Sequence, residues 1–259
     1  MKRNPLYKIK ENTLIQGPYY LLVLEGFPQS QPGQFVNILC QKDGSFLLRR
    51  PFSINRVIGN DIYIIYKAIG RGTEMLAGHK AGELIDAIGP LGKGWQLNAE
   101  CGKTHILVGG GIGIAPLLGF ADTLAQKEEK VVILLGGRSK IDILCEKEFR
   151  ELGCDVRVTT DDGSYGEKGL VTNLLDRILE DNSEFRIPNS AFIYTCGPHP
   201  MMKKVAEIAA RLQIPCQVSL EEMMGCGLGG CVCCVCETKQ GYEKVCTEGP
   251  VFNSDEIVW

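Results

Sequence analysis

The chain has 259 residues, 44% of them hydrophobic and 23% charged, with a formal net charge of −3 at pH 7. This length suits two medium domains, or two domains plus a small appendage. No basic block marks a nucleic-acid or membrane-surface partner, and no run approaches the ~18–20 apolar residues of a membrane span. The opening Met1-Lys2-Arg3-Asn4-Pro5 leads into a polar, alternating segment rather than the apolar core of a signal peptide, so a cytoplasmic protein is expected.

Residues 1 to about 98 read as all-β. Short apolar runs at Tyr19–Leu24, Phe35–Cys40, Ile62–Tyr66 and Glu83–Ile88 are separated by turn signals: Gln31-Pro32-Gly33, Asp43-Gly44, Gly59-Asn60-Asp61 and Gly89-Pro90. Short strands at this spacing suggest a sandwich or small antiparallel barrel.

The pattern changes near residue 99. Strands are expected at His105–Val108, Val131–Leu135, Val156–Thr160 and Phe192–Thr195. Helices are expected at Ile114–Lys127, Ile141–Leu152, Leu170–Glu180 and Met201–Leu212. Strand and helix in alternation imply a parallel sheet with helices on both faces. From Ser219 the chain turns rich in Gly and Cys, with too little apolar content for a core of its own; a metal centre would supply cross-links. The expected domains are 1–98, 99–218 and 219–259.

Of 12 cysteines, six lie between Cys226 and Cys246. In a chain this long without a secretion signal, metal binding is a better reading than disulfides. Cys226-x4-Cys231-x2-Cys234 followed by Cys246 is the plant-type [2Fe–2S] ligand spacing. Gly225, Gly227, Gly229 and Gly230 let the loop wrap closely and adopt positive φ. A rival assignment places Cys233 and Cys236 with other cysteines in a zinc site. Zinc favours paired Cys-x2-Cys spacings set further apart, so the glycine-rich four-residue gap fits iron–sulfur better.

Gly109-Gly110-Gly111-Ile112-Gly113-Ile114-Ala115-Pro116 follows a strand and opens a helix. Free N–H groups and a positive dipole end suit a pyrophosphate there, although a glycine-rich turn alone is also a common structural turn. Thr195-Cys196-Gly197-Pro198 ends a later strand of the same sheet and is expected along the same carboxyl edge. At Gly136-Gly137-Arg138-Ser139-Lys140, the two cations suit either a 2′-phosphate or a solvated turn, and no acid marks the strand end as a ribose ligand.

In the β region, Arg49-Arg50-Pro51-Phe52-Ser53 and Tyr66-Lys67-Ala68-Ile69-Gly70-Arg71-Gly72-Thr73 are each weak signals. Together they pair a guanidinium fork with a Gly-Thr helix entry, two halves of a pyrophosphate site. Arg50-Pro51-Phe52-Ser53, Gly72-Thr73, the triple-glycine turn and Cys196-Gly197-Pro198, in that order, resemble the ferredoxin–NADP reductase superfamily. That resemblance implies a flavin-binding antiparallel β-barrel followed by a nicotinamide-binding α/β domain. The tail, from Glu221-Glu222-Met223-Met224-Gly225-Cys226 to Cys246-Thr247-Glu248-Gly249-Pro250-Val251-Phe252, is similar to the electron-transfer subunits of the NAD-dependent (class 1B) dihydroorotate dehydrogenases. The likeness spans essentially the whole chain.

The resemblance implies site roles position by position. Arg50, Pro51, Phe52 and Ser53 would contact FAD, Tyr66 and Lys67 would flank it, and Gly72 and Thr73 would hold its pyrophosphate. Gly110, Gly111, Ile112 and Gly113 would receive NAD, with Cys196 and Gly197 beside them. Cys226, Cys231, Cys234 and Cys246 would ligate a [2Fe–2S] cluster. Phe52 stands where much of the superfamily has Tyr, which removes a hydroxyl from the ribityl side.

The implied function is an oxidoreductase relay in pyrimidine biosynthesis. Electrons would pass from an FMN-containing dihydroorotate dehydrogenase catalytic subunit, in a heterotetramer of two plus two, through the cluster and FAD to NAD⁺. A flavin exchanges one electron or two, so it belongs between a one-electron cluster and a hydride carrier. No strong general base is required, and His79, His105 and His199 read as ordinary surface or structural residues. A (β/α)₈ barrel alone takes ~250 residues, so dihydroorotate oxidation is expected on a separate chain. Two alternatives remain: a free-standing or bifurcating-complex NAD(P)H–ferredoxin oxidoreductase subunit, and a redox-sensing metal scaffold without flavin.

Overall fold

The computed structural model describes residues 6–41, 48–97, 104–180 and 191–259. The Asp43-Gly44 turn and the expected boundary near residues 98–99 lie outside the described residues. The chain divides into two compact units. One comprises Met1–Trp95, Glu221–Glu237 and Gly241–Val251; the other comprises Gln96–Leu220, Thr238–Gln240 and Phe252–Trp259. Residues of the cysteine-rich tail are distributed between the two.

In the first unit the strands are β1 (Leu6–Gln16), β2 (Tyr19–Glu25), β3 (Phe35–Leu39), β4 (Arg50–Ser53), β5 (Arg56–Ile58), β6 (Asp61–Lys67) and β7 (Leu84–Leu91), with helix α1 (Arg71–Ala77) before β7. They form one seven-stranded sheet in the order β4-β3-β7-β1-β2-β6-β5, antiparallel at every pairing. The sheet curls on itself. Phe52 of β4 meets Tyr66 of β6 edge to face at 5.7 Å, although the two strands lie far apart in the sheet order.

Period-two alternation builds the interior. Ile62, Ile64 and Tyr66 of β6 point inward, as do Val36 and Ile38 of β3 and Tyr7 and Ile9 of β1. The long β1 was not among the expected strands, because its outer half is mostly polar and exposed.

The second unit holds β8 (Thr104–Gly110), α2 (Leu118–Ala125), β9 (Lys130–Gly137), α3 (Glu146–Glu151), β10 (Asp155–Thr160), β11 (Glu167–Lys168), α4 (Val171–Glu180), β12 (Ala191–Cys196), α5 (His199–Arg211) and β13 (Cys216–Ser219). The sheet order is β11-β10-β9-β8-β12-β13-β16, where β16 is Val251–Asn253 from the tail. The pairings from β11 through β13 are all parallel. Every residue of β8 is buried, which requires cover on both faces. A hairpin, β14 (Val235–Thr238) with β15 (Gly241–Lys244), completes the tail.

Two expected helices are broken. Ile114–Lys127 begins instead as a 3₁₀ segment, Gly111–Leu117, before α2. Pro116 sits inside it and supplies no N–H for a regular turn. Ile141–Leu152 is interrupted where Cys145 takes φ of +58°, a left-handed residue that restarts the chain into α3.

Candidate functional site

Three groups of residues carry the chemistry, two in the first unit and one in the second. The first is where β4 faces α1. Arg49 and Arg50 are adjacent in sequence but have different fates. Arg49 is committed to β7: its guanidinium donates to the Asp86 carboxylate at 2.9 Å and to the Asp86 carbonyl at 3.2 Å. Arg50 reaches the start of α1 instead, where a Cβ placed on Gly72 would stand 3.4 Å from Arg50 Nε. Its Nη1 donates to the carbonyls of Leu48 and Arg49.

Thr73 is occupied locally. Its Oγ1 accepts from the N–H groups of Ile69 and Gly70 and donates to the Gly70 carbonyl. The hydroxyl therefore shapes the entry to α1. What this turn can offer an anion is backbone N–H and the Arg50 fork, with the space that Gly72 leaves.

Phe52 and Tyr66 lie inside the barrel, Tyr66 at 1% exposure. The Tyr66 hydroxyl donates to Asn12 Oδ1 at 2.9 Å, and burial pushes its phenol well above the ordinary tyrosine range. Asn12 Nδ2 in turn donates to the carbonyls of Leu76 and His79, both at 2.8 Å, at the end of α1. The Tyr66 hydroxyl is thus linked through Asn12 to the end of α1. Along β6 the alternation leaves Lys67, not Tyr66, on the outer face, with its Nζ 5.0 Å from the Tyr19 ring centroid. Pro51 and Ser53 are half-buried on β4.

The second group is the cysteine loop. Cys226 Sγ accepts the backbone N–H of Leu228 at 3.3 Å and of Cys231 at 3.4 Å. These amides, then the Cys231 thiol, lower the Cys226 pKa to about 7. Cys246 is pushed up to about 11, by burial first and then by its contact with the Cys234 thiol. Cys226 is thus in contact with Cys231 and Cys246 with Cys234, and Cys226 is near enough to act on Cys246 as well.

A Cys226-x4-Cys231-x2-Cys234 loop with backbone amides aimed at sulfur suits a two-iron cluster rather than one tetrahedral ion. Cys233 is exposed, and Cys236 is pushed up to about 11 by burial and by the nearby Glu243 and Glu222. Gly229 leaves room that a Cβ would take from Thr247, at 2.9 Å.

The third group lies at the carboxyl ends of β8 and β12. These neighbours are reached from opposite directions along the chain, which makes their junction the topological switch point of the sheet. The two turns are pressed together. A Cβ on Gly113 would sit 2.5 Å from the Cys196 carbonyl group and from Gly197 Cα, and one on Gly110 would meet Met201 Sδ at 2.5 Å. Gly111 differs: it takes φ of +57°, and its Cβ position opens on empty space. Ile112 beside it is half-buried, as are Cys196 and Gly197. Gly110, Gly113 and Gly197 thus allow the turns to touch, and Gly111 leaves open space beside them.

The histidines are structural. His79 bonds Glu83 at 2.6 Å, and His199 packs on Trp259. His105 is the structural kind, not a surface residue. It lies within β8 at 1% exposure, stacked between Phe192 and Tyr194, because the parallel sheet buries both faces of that strand.

Comparison with known proteins agrees with this layout. Residues 107–207 match a family model described as an oxidoreductase NAD-binding domain. Residues 221–258 match the iron–sulfur cluster binding domain of dihydroorotate dehydrogenase B, which removes the zinc assignment. Among solved structures, an NADH-dependent reduced ferredoxin-NADP oxidoreductase, described for its insights into flavin-based electron bifurcation, is similar over 100% of this chain and 92% of that one, with a TM-score of 0.85 and 28% identity. The flavohem-like FAD/NAD binding domain of nitric oxide dioxygenase from Vibrio cholerae shares the fold at a TM-score of 0.65 and 21% identity, over 82% of this chain and 95% of that one.

Two curated relatives carry the name dihydroorotate dehydrogenase B (NAD(+)), electron transfer subunit. The one from Bacillus velezensis is 40% identical over 96% of each chain, and the one from Shouchella clausii is 39% identical over 99% of each. On this identity across nearly its full length, the chain belongs to the electron transfer subunit family of dihydroorotate dehydrogenase B (NAD(+)).

Proposed function

We propose that this chain relays electrons from a dihydroorotate-oxidising, FMN-containing catalytic subunit to NAD⁺, in a cytoplasmic assembly of two copies of each. The observation that carries the reading is the meeting of Cys226 with Cys231 and of Cys234 with Cys246, in the same compact unit as the Arg50–Gly72 cradle. When bound, FAD would exchange single electrons with a [2Fe–2S] cluster and a hydride with the nicotinamide.

The chain's own residues do the positioning. Arg50 presents a fixed positive charge to a diphosphate, and Gly72 keeps the approach clear. Asn12 and Tyr66 hold α1 against the barrel, so the first-turn N–H groups keep their aim. Gly111 leaves open space at the switch point for the dinucleotide, and Cys196 and Gly197 pack against the neighbouring turn. Amides of Leu228 and Cys231 offset negative charge at Cys226 sulfur. None of these residues needs to abstract a proton.

The partner would dock over the cysteine loop. Met223, Leu228, Val232 and Tyr242 are large apolar side chains exposed there, and a relay must bring its cluster close to the electron donor. The domains of the relay would follow the sequence reading, with 1–98 for FAD, 99–218 for NAD and 219–259 for the cluster.

The test is anaerobic purification with a dihydroorotate-oxidising subunit, followed by visible spectra. Flavin and iron–sulfur bands bleached by dihydroorotate and restored by NAD⁺ support the relay. Bands bleached only by NADPH favour a second reading, a free-standing or bifurcating-complex NAD(P)H–ferredoxin oxidoreductase subunit. That reading draws on the full-length similarity to the bifurcating oxidoreductase structure.

A further inference from the structure

Asn37 is an unusual residue in its place. It lies in β3 between Val36 and Ile38, whose side chains fill the barrel interior. Alternation turns Asn37 to the opposite face, yet it is only 1% exposed. Its cover is the cysteine loop. Asn37 Nδ2 lies 3.5 Å from the Cys226 carbonyl oxygen, directed as a donor. Gly227, at φ of +69°, comes so close that any Cβ there would collide with Asn37 Nδ2. The amide's other atom, Oδ1, is buried without a hydrogen-bond partner.

A buried unpaired acceptor is a cost that a leucine of similar volume would not carry. What only the amide supplies is a donor to the Cys226 peptide. The backbone of Asn37 adds a second link, since it pairs with Pro51 of β4 on one side and with Ile88 of β7 on the other. Asn37 therefore touches the loop of the first thiol with its side chain and the Arg50–Ser53 strand with its main chain. Among the described residues it is the polar side chain hydrogen-bonding that loop from β3.

We infer that Asn37 is a positioning residue for the iron–sulfur centre, fixing the Cys226–Gly227 peptide against β3 and so setting the place of the cluster relative to the flavin-binding strand. The inference rests on the reading of Cys226 as a cluster ligand. Through the peptide it holds, Asn37 keeps the amides of Leu228 and Cys231 on the Cys226 sulfur, and hydrogen bonds to cluster sulfurs tune the potential. A purely space-filling role would leave these bonds untouched when the donor is lost but the shape is kept.

The experiment compares wild type with Asn37→Asp and Asn37→Leu in the co-purified complex. Iron and flavin are quantified, and the reduced cluster is examined by electron paramagnetic resonance and by potentiometric titration. Both variants remove the donor at nearly constant shape. The expected result is unchanged flavin content, an iron-to-flavin ratio at least two-fold lower, and shifted g-values in the residual signal. Asn37→Asp should also lower the cluster's midpoint potential below that of Asn37→Leu, since a nearby carboxylate disfavours an added electron. If Asn37→Leu does not fold, Asn37→Ser, too short to reach the carbonyl, takes its place with the same expectation. Wild-type iron content, g-values and potential in the donor-less variants would overturn the inference. A wild-type complex without any [2Fe–2S] signal would instead overturn the ligand reading beneath it.

Discussion

Arg50 Nε would stand 3.4 Å from a Cβ on Gly72, so the guanidinium of β4 lies directly over the entry to α1. Arg49, one residue earlier, is tied to Asp86 and cannot share this duty. Arg50→Ala is expected to weaken FAD binding by about 10–100-fold, the loss of a charged hydrogen-bonding group worth about 1.5–3 kcal/mol. Arg49→Ala should instead lower thermal stability and leave flavin affinity nearly intact. Fluorescence titration of flavin-depleted protein with FAD separates the two; equal losses of affinity would contradict the division of labour.

Tyr66 is expected to act through Asn12 rather than on the cofactor. Its hydroxyl is buried on Asn12 Oδ1, which anchors the end of α1. Tyr66→Phe removes one buried hydrogen bond and leaves Asn12 Oδ1 unpaired, a cost of about 1–3 kcal/mol. Thermal unfolding should therefore fall by a few degrees, while the flavin absorption envelope stays at its wild-type position. A shifted flavin spectrum at unchanged stability would show the phenol to be a cofactor contact.

Cysteine substitutions should sort cleanly. Replacing Cys226, Cys231, Cys234 or Cys246 by Ser removes one member of the two thiol pairs. Each is expected to reduce bound iron at least ten-fold, on the rule that a cluster needs its four ligands. Cys233→Ser and Cys236→Ser should keep wild-type iron, because Cys233 points to solvent and Cys236 sits beside Glu222 and Glu243. Iron and sulfide assays on the purified variants provide the check, and iron loss in Cys233→Ser would reassign the set.

At the switch point, Gly113→Ala places a methyl group against the Cys196 carbonyl and Gly197 Cα, and backbone cannot step aside. Overpacking of this kind costs about 1–3 kcal/mol and should also separate the two turns, weakening NADH binding. Gly111→Ala meets no neighbour and bears only its left-handed φ, about 1–2 kcal/mol. Calorimetric titration with NADH and a thermal melt should therefore rank Gly113→Ala as the more damaging. The reverse order would mean that the space over Gly111, not the contact between the turns, decides binding.

Much of this architecture is legible along the chain itself. The alternation of Ile62, Ile64 and Tyr66 announces a strand because side chains alternate across a sheet, and the Cys226-x4-Cys231-x2-Cys234 spacing announces a cluster loop because three thiolates must leave one tight turn. The strand β1 escaped notice since half of it is solvated, and the helix expected over Ile141–Leu152 failed where Cys145 turns left-handed. Neither feature leaves a periodic mark.

Local spacing along the chain was sufficient for a β region followed by a parallel α/β sheet, because strands, helices and turns depend on residues near one another in sequence. Only the tertiary structure decided which arginine faces α1, that Tyr66 is spent on Asn12, and that Asn37 lies beneath the Cys226 loop. These are pairings between residues distant in sequence, selected by how strands curl and which faces become covered, and no periodicity records them. The sharing of the tail between two compact units has the same origin: Phe252 finds its burial in the parallel sheet, while Cys226 lies against β3.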